Sequence, residues 1–158
     1  EALEWLQERS DFKNILDLGC GNGLLSIIAV QIWDAKILAA DISPNAVKDA
    51  AKAIMEQGLK DRIEVVRSEG FSNAKIAETG PYDLMLCNLL ADLLLAYAYN
   101  IKKNINKSGY VVLSGVLEWK AADIEAQYTG LGFEIIEKFS DSPWVCYVLR
   151  NKSETLLF

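Results

Sequence analysis

The stretch Asp17-Leu18-Gly19-Cys20-Gly21-Asn22-Gly23 joins the apolar pair Ile15-Leu16 to a run, 24–32, with the apolar content of a buried helix. A strand that turns through alternate glycines into a helix leaves room for close approach. Glycine adopts positive φ without steric cost and carries no Cβ for an incoming group to meet. In an open α/β sheet this turn lies beyond the carboxyl edge, with helix N–H groups facing outward. The stretch therefore predicts a Rossmann-like, doubly wound sheet with a ligand cradle at this loop.

The residues of the loop also select the ligand. A dinucleotide fingerprint has the spacing G-x-G-x-x-G and holds a pyrophosphate at the helix start. Here the spacing is G-x-G-x-G, and Asp17 stands just before the first glycine. Two like unit charges about 5 Å apart at an effective dielectric of about 20 repel by about 3 kcal/mol, close to two decades of affinity. S-adenosyl-L-methionine has no phosphate and presents an ammonium, which an acid beside the turn holds by a charge-assisted hydrogen bond. The loop fits this cofactor better than NAD. Asp17, Gly19, Cys20, Gly21 and Gly23 are its expected contacts.

At 158 residues and 51% hydrophobic content the chain has material for one core. We read residues 1–151 as one domain and 152–158 as a frayed end. The richest apolar stretch, 84–99, is interrupted by Asn88 and Asp92 and falls short of the roughly 18 residues a membrane helix needs. A net charge of −6 argues against a broad phosphate-binding surface. No DNA or membrane partner is expected. The 3 cysteines, Cys20, Cys87 and Cys146, form no CxxC pair and read as reduced core residues of a cytoplasmic protein. Histidine is absent, which removes Ser-His-Asp and Cys-His schemes and His-ligated zinc; no metal is expected. The chain starts at Glu1 rather than methionine, so further residues upstream are expected.

Apolar patterning gives the remaining order. A helix over 2–9 precedes a strand at 14–18, the glycine loop and a helix over 23–33. The strand 36–40 ends in Asp41, and Ser43-Pro44 opens a helix that Gly58 stops. Strands at 62–67, 82–87 and 110–113 follow, with helices at 73–77, 89–105 and 118–129. The runs 133–139 and 144–149 are separated by Ser140-Asp141-Ser142-Pro143, too short for a helical crossover, so they are expected to pair as an antiparallel hairpin. The sum is a seven-stranded, mostly parallel α/β sheet.

Residues just after the central strands converge on one crevice. Asp41 is placed to accept both ribose hydroxyls, or alternatively to supply charge at the start of the helix behind Ser43. Glu69 is positioned to accept from the adenine amine, or to be a solvated loop acid. Ile42 and Phe71 are candidates to flank the adenine ring, or to fill the core. Asn88 lies where a bound methyl group would face its acceptor, and its carbonyl can aim an amine lone pair. Asn88 is equally suited to cap the helix expected from Leu89. Ser114 and Trp119 are candidates for the acceptor side. In-line displacement at a sulfonium needs positioning more than acid–base work, which suits a chain without histidine.

At these residues the chain resembles the class I S-adenosylmethionine-dependent methyltransferases, and among them the PrmA family of ribosomal protein methyltransferases. The matching pieces are Asp17 to Ile27, Ala40-Asp41-Ile42-Ser43-Pro44-Asn45-Ala46-Val47, Asn88-Leu89-Leu90-Ala91, Leu113-Ser114-Gly115-Val116-Leu117 and Trp144-Val145. The resemblance implies methyl transfer to amino groups of a ribosomal protein, with Asp17, the glycines and Asp41 at the cofactor and Asn88 at both cofactor and acceptor. Two departures accompany it. The family's upstream substrate-recognition domain and its threonine- and glycine-rich covering segment have no counterpart here, and Asp92-Leu93 stands where the family often has a proline. A small-molecule methyltransferase and a non-catalytic binding module of the same fold are the alternatives.

Overall fold

A computed structural model describes residues 1–152. Helix α1 (Ala2–Gln7) leads into β1 (Asn14–Leu18), the glycine loop and α2 (Leu24–Ile32), then β2 (Lys36–Asp41), α3 (Pro44–Glu56), β3 (Ile63–Arg67) and α4 (Ala74–Thr79). Next come β4 (Tyr82–Asn88), α5 (Ala91–Ala96), α6 (Ala98–Asn104), β5 (Ile105–Leu117), a 3-10 turn (Glu118–Lys120), α7 (Ala121–Gly130), β6 (Phe133–Asp141) and β7 (Trp144–Asn151). The last, at 152–158, of the sequence-based segments falls outside the described residues except for Lys152.

One seven-stranded sheet runs in the order β3-β2-β1-β4-β5-β7-β6. The chain winds outward from β1 to β3, returns to the other side of β1 with β4, and so creates a switch point between β1 and β4. All pairings from β3 to β5 are parallel, whereas β7 is antiparallel to both β5 and β6. This is the hairpin expected from the short 140–143 turn.

Alternation along the central strands sends side chains to two cores. Leu16, Leu18, Met85 and Cys87 join the cluster with Leu94, Ile101 and Tyr128 on one face. Ile15, Leu84 and Leu86 join Ile27, Val30 and Ile54 on the other. Leu84, Met85 and Leu86 are each buried, and burial of such a side chain contributes about 1.5–3 kcal/mol. Asp17 lies between Leu16 and Leu18 in β1, so it points to the face of Ile15 and α2.

Helix α3 shows how local chemistry sets a boundary. Ser43 Oγ accepts from the Ala46 N–H at 3.3 Å, and Pro44 occupies the first turn. At the other end Gly58, at φ +69°, lets its own N–H reach Met55 O and the Leu59 N–H reach Ile54 O. These two bonds form a Schellman stop.

Three expected boundaries differ. The helix expected over 89–105 is two short helices, α5 and α6, meeting at Tyr97. Gly70 makes room for the Tyr97 ring at this junction: it holds φ +54°, and a Cβ there would overlap the ring. Tyr97 also meets Phe71 edge-on at 5.9 Å. Strand β5 begins at Ile105, paired with Tyr82, rather than at Tyr110. The helix expected over 118–129 opens with the 3-10 turn before α7.

Candidate functional site

The carboxyl ends of β1, β2 and β4 meet around the glycine loop. Gly19 and Cys20 donate to Ala40 O at 2.8 and 3.0 Å, tying the loop to β2, and Gly23 donates to Cys20 O at 2.9 Å. All three glycines have positive φ, +75°, +54° and +83° in chain order, but packing demands only two of them. A Cβ on Gly19 would come within 2.5 Å of Leu89 Cδ2, and one on Gly23 within 3.2 Å of Ala50. At Gly21 a Cβ would meet nothing within 4 Å. Gly21 is thus the loop position open to an approaching ligand.

Asp41, partly exposed at the end of β2, braces this position. Its Oδ2 accepts from the Gly21 N–H at 2.9 Å, and its Oδ1 accepts from the Ser43 N–H at 2.9 Å. The helix-start role weighed for it is therefore present, joined to one holding the loop. Each carboxylate oxygen has a second lone pair for a hydroxyl donor. Ile42 follows with its side chain 55% exposed. Glu69 is exposed in the turn after β3, where its N–H donates to Ser72 Oγ at 3.1 Å, and the neighbouring Ser68 N–H donates to Asp41 O at 2.9 Å. The fold thus gathers Asp41, Ile42 and Glu69 along one rim. Phe71 is committed to the Tyr97 contact.

Asp17, the acid beside the turn, is completely buried. Ser26 Oγ donates to Asp17 Oδ2 at 2.6 Å, while Oδ1 has no protein partner. Burial, reinforced by nearby Asp41 and opposed by the Ser26 hydroxyl and amide, raises its carboxyl from 3.8 to about 6. Leu86, its register partner on β4, lines a cavity of ≈ 360 Å³ with Leu25, Asn88, Ser114 and the start of α1. Parallel register partners face the same side of a sheet, so Asp17 lies beside Leu86, buried behind the residues that line this cavity.

Cys20 is buried beside the two acids, which together with desolvation push its thiol up to about 12. Burial likewise raises Cys87. The cysteines carry free thiols, and neither of these two has thiolate character near neutral pH. Among the described residues no His, Cys, Asp or Glu cluster is arranged for a metal ion.

Asn88 ends β4, exposed, opposite Ser114 of β5. It does not cap a helix: α5 starts at Ala91 with Leu90 in the cap position. Leu89 instead bridges the strands, donating from its N–H to Ser114 O at 3.2 Å. Gly115, at φ +87°, leaves space for this arrangement, since a Cβ there would lie 3.2 Å from Asn88 Oδ1 and 2.9 Å from Leu89 O. Asn88, Ser114, Gly115, Trp144 and Cys146 also border a second cavity of ≈ 330 Å³. Trp119 is 70% exposed beyond the end of β5. Sequence reading missed Ser26 and Gly115; the glycine in Leu113-Ser114-Gly115-Val116 was the available signal for the second.

This order of strands, with its glycine loop at the switch point, defines a Rossmann-like methyltransferase fold. The ribosomal protein L11 methylase from Lactobacillus delbrueckii subsp. bulgaricus superposes with a TM-score of 0.84 at 24% identity, over 95% of this chain and 77% of that one. An RNA methyltransferase from Salinibacter ruber, in complex with S-adenosyl-L-homocysteine, shares the fold at a TM-score of 0.75 and 19% identity, over 99% and 94% of the two chains. The family profile for ribosomal protein L11 methyltransferase (PrmA) matches residues 1–152, and the chain belongs to that family. The Mesorhizobium japonicum ribosomal protein L11 methyltransferase is 33% identical over 151 residues, 96% of this chain and 52% of the relative. Its Brucella suis counterpart is 31% identical over 150 residues, 95% and 53% of the two. The chain spans about half the length of the curated relatives it matches.

Proposed function

We propose that residues 1–151 form an S-adenosyl-L-methionine-dependent methyltransferase domain that methylates amino groups of a protein, with a ribosomal protein in the cytoplasm as substrate. The observation that carries this reading is the pairing of an open glycine position, Gly21, with a buried carboxylate oxygen, Asp17 Oδ1, that has no protein partner. A buried carboxylate without a partner is costly, and an ammonium donor is the group that relieves it. The cofactor, when bound, supplies an electrophilic methyl carbon on a sulfonium.

The chain's own residues do the positioning. Asp17 faces the ammonium, the backbone of Gly19, Cys20, Gly21 and Gly23 lines the cradle, and Asp41 accepts from the ribose hydroxyls. Ile42 covers the adenine and Glu69 accepts from its amine. Asn88 Oδ1 accepts one hydrogen from the incoming amine and aims its lone pair. The substrate amine arrives across a rim with exposed apolar side chains, Leu90 at 66%, Trp119 at 70% and Trp144 at 47%. Exposed apolar groups beside a cleft suit a macromolecular acceptor better than a small molecule.

Two measurements test this reading. Calorimetry is expected to show S-adenosylmethionine or its demethylated product binding at least tenfold more tightly than NADH, since Asp17 opposes a pyrophosphate; equal affinities would sink it. Label from S-adenosylmethionine is expected in a ribosomal-protein fraction incubated with the chain, and label confined to small molecules would exclude the protein acceptor.

Asp41→Ala removes the acceptor for Gly21 as well as for the ribose. Cofactor affinity is expected to fall about tenfold, the lower range for hydrogen bonds to a charged group. Titration of the variant checks it, and an unchanged dissociation constant would reduce Asp41 to the helix-start role.

A further inference from the structure

Ser26 has no part in the site as read from the sequence, yet it is the side chain that fixes Asp17. Both are fully buried, and the 2.6 Å bond from Ser26 Oγ engages Oδ2 alone. Oδ1 is left without a protein partner, on the sheet face of Leu86, which with Asn88 lines the cavity of ≈ 360 Å³. We propose that Ser26 is a positioning residue of the cofactor site: its hydroxyl holds the Asp17 carboxylate so that Oδ1 is reserved for the cofactor ammonium, and binding is coupled to the proton on Asp17.

The surroundings make that coupling strong. Asp41 at the end of β2 acts on Asp17, and Asp17 in turn acts on Cys20 in the loop and Cys87 on β4. Asp41 is acidic and the two thiols hold their protons, so none of the three supplies a positive charge. Ser26, through its hydroxyl and its amide at the start of α2, is what favours the ionised form. Removing the hydroxyl leaves the desolvated carboxylate more easily protonated, and a protonated Asp17 has no charge to offer an ammonium.

This inference rests on the cofactor reading above, and two ligands separate the two claims. S-adenosylhomocysteine carries the ammonium; 5′-methylthioadenosine carries the same adenosine without it. Calorimetry on the unmodified chain from pH 5 to pH 8 is expected to show S-adenosylhomocysteine weakening about tenfold toward pH 5, while methylthioadenosine changes little. Both ligands share the ribose contacts, so effects arising at the ribose cancel in the comparison. In Ser26→Ala the midpoint is expected to move up by about one to two pH units, the span set by a hydrogen bond to a charge. Ser26→Cys keeps the volume with a weaker donor and is expected to fall between. Identical pH profiles for the two ligands would overturn the coupling, and a midpoint unmoved in both variants would overturn the role of Ser26. Binding of neither ligand at any pH by the folded chain would instead defeat the cofactor reading itself. The two-ligand comparison needs no variant and stands even if Ser26→Ala does not fold.

Discussion

Asp17→Asn is expected to remove a pH dependence of about 3 kcal/mol from the stability of the ligand-free chain. The carboxyl is completely buried and its folded-state pKa rises from 3.8 to about 6. In the unfolded chain the proton leaves near 3.8; in the folded chain it stays until about 6. Stability contributed by a raised acid is therefore full below the unfolded value and is lost as pH climbs through the folded one. Roughly two pH units at 1.36 kcal/mol each give the expected size. Glu125 works in the opposite sense, its carboxyl lowered by the hydrogen bonds from Tyr147 and Lys138. Because Glu125 is present in both proteins, its effect cancels in the difference between wild type and variant. Asparagine retains the shape and an acceptor for Ser26, so the comparison isolates the charge. Urea denaturation at intervals from pH 4 to pH 8 measures it. Wild type should lose about 2.4 kcal/mol relative to Asp17→Asn across that range, most of it between pH 4 and pH 6.5, with the rest of the ~3 kcal/mol lost below pH 4. Parallel stability curves would mean that water or local opening already solvates Asp17. The destabilising carboxylate is the sort of cost that a site retains for function.

Elements whose boundaries depend on neighbouring residues in the chain were legible in the sequence. Ser43-Pro44 and Gly58 bracket α3 through bonds made within one turn, and Asp17 to Gly23 announces the strand–loop–helix unit because positive φ at alternate positions calls for glycine. Features set by distant contacts were not. The break falls at Tyr97, whose ring packs on Gly70 and Phe71 from earlier in the chain, and no local propensity marks Tyr97 as a helix end. The early start of β5 depends on Tyr82 pairing with Ile105. Within the site, the positions of Asp17, Asp41 and Asn88 follow from strand ends, whereas their partners do not. Ser26 reads as a small helical residue until the fold brings its hydroxyl to Asp17, and the helix-cap role for Asn88 disappears only once α5 is seen to start at Ala91.

Asn88→Ala is expected to lower methyl transfer about a hundredfold while cofactor affinity stays within about twofold. A loss on this scale is what misplacing a reacting group costs when catalysis rests on orientation, and it should appear in turnover because the proposed interaction is with the acceptor. Asn88 is exposed, opposite Ser114, with its Oδ1 beside the space that Gly115 leaves free. Since Leu90 occupies the cap position of α5, truncating Asn88 removes no helix cap, and stability should stay within about 0.5 kcal/mol, as for other surface substitutions. Asn88→Ser sharpens the distinction: serine keeps a small polar side chain but lacks the carbonyl proposed to meet the amine. Serine should therefore leave turnover near the alanine level. Single-turnover transfer of labelled methyl to a ribosomal-protein fraction, measured beside melting temperature and S-adenosylhomocysteine affinity for both variants, separates the roles. Full turnover in Asn88→Ser would return the residue to a structural part. Equal losses of turnover and cofactor affinity would move its main interaction from the acceptor to the cofactor.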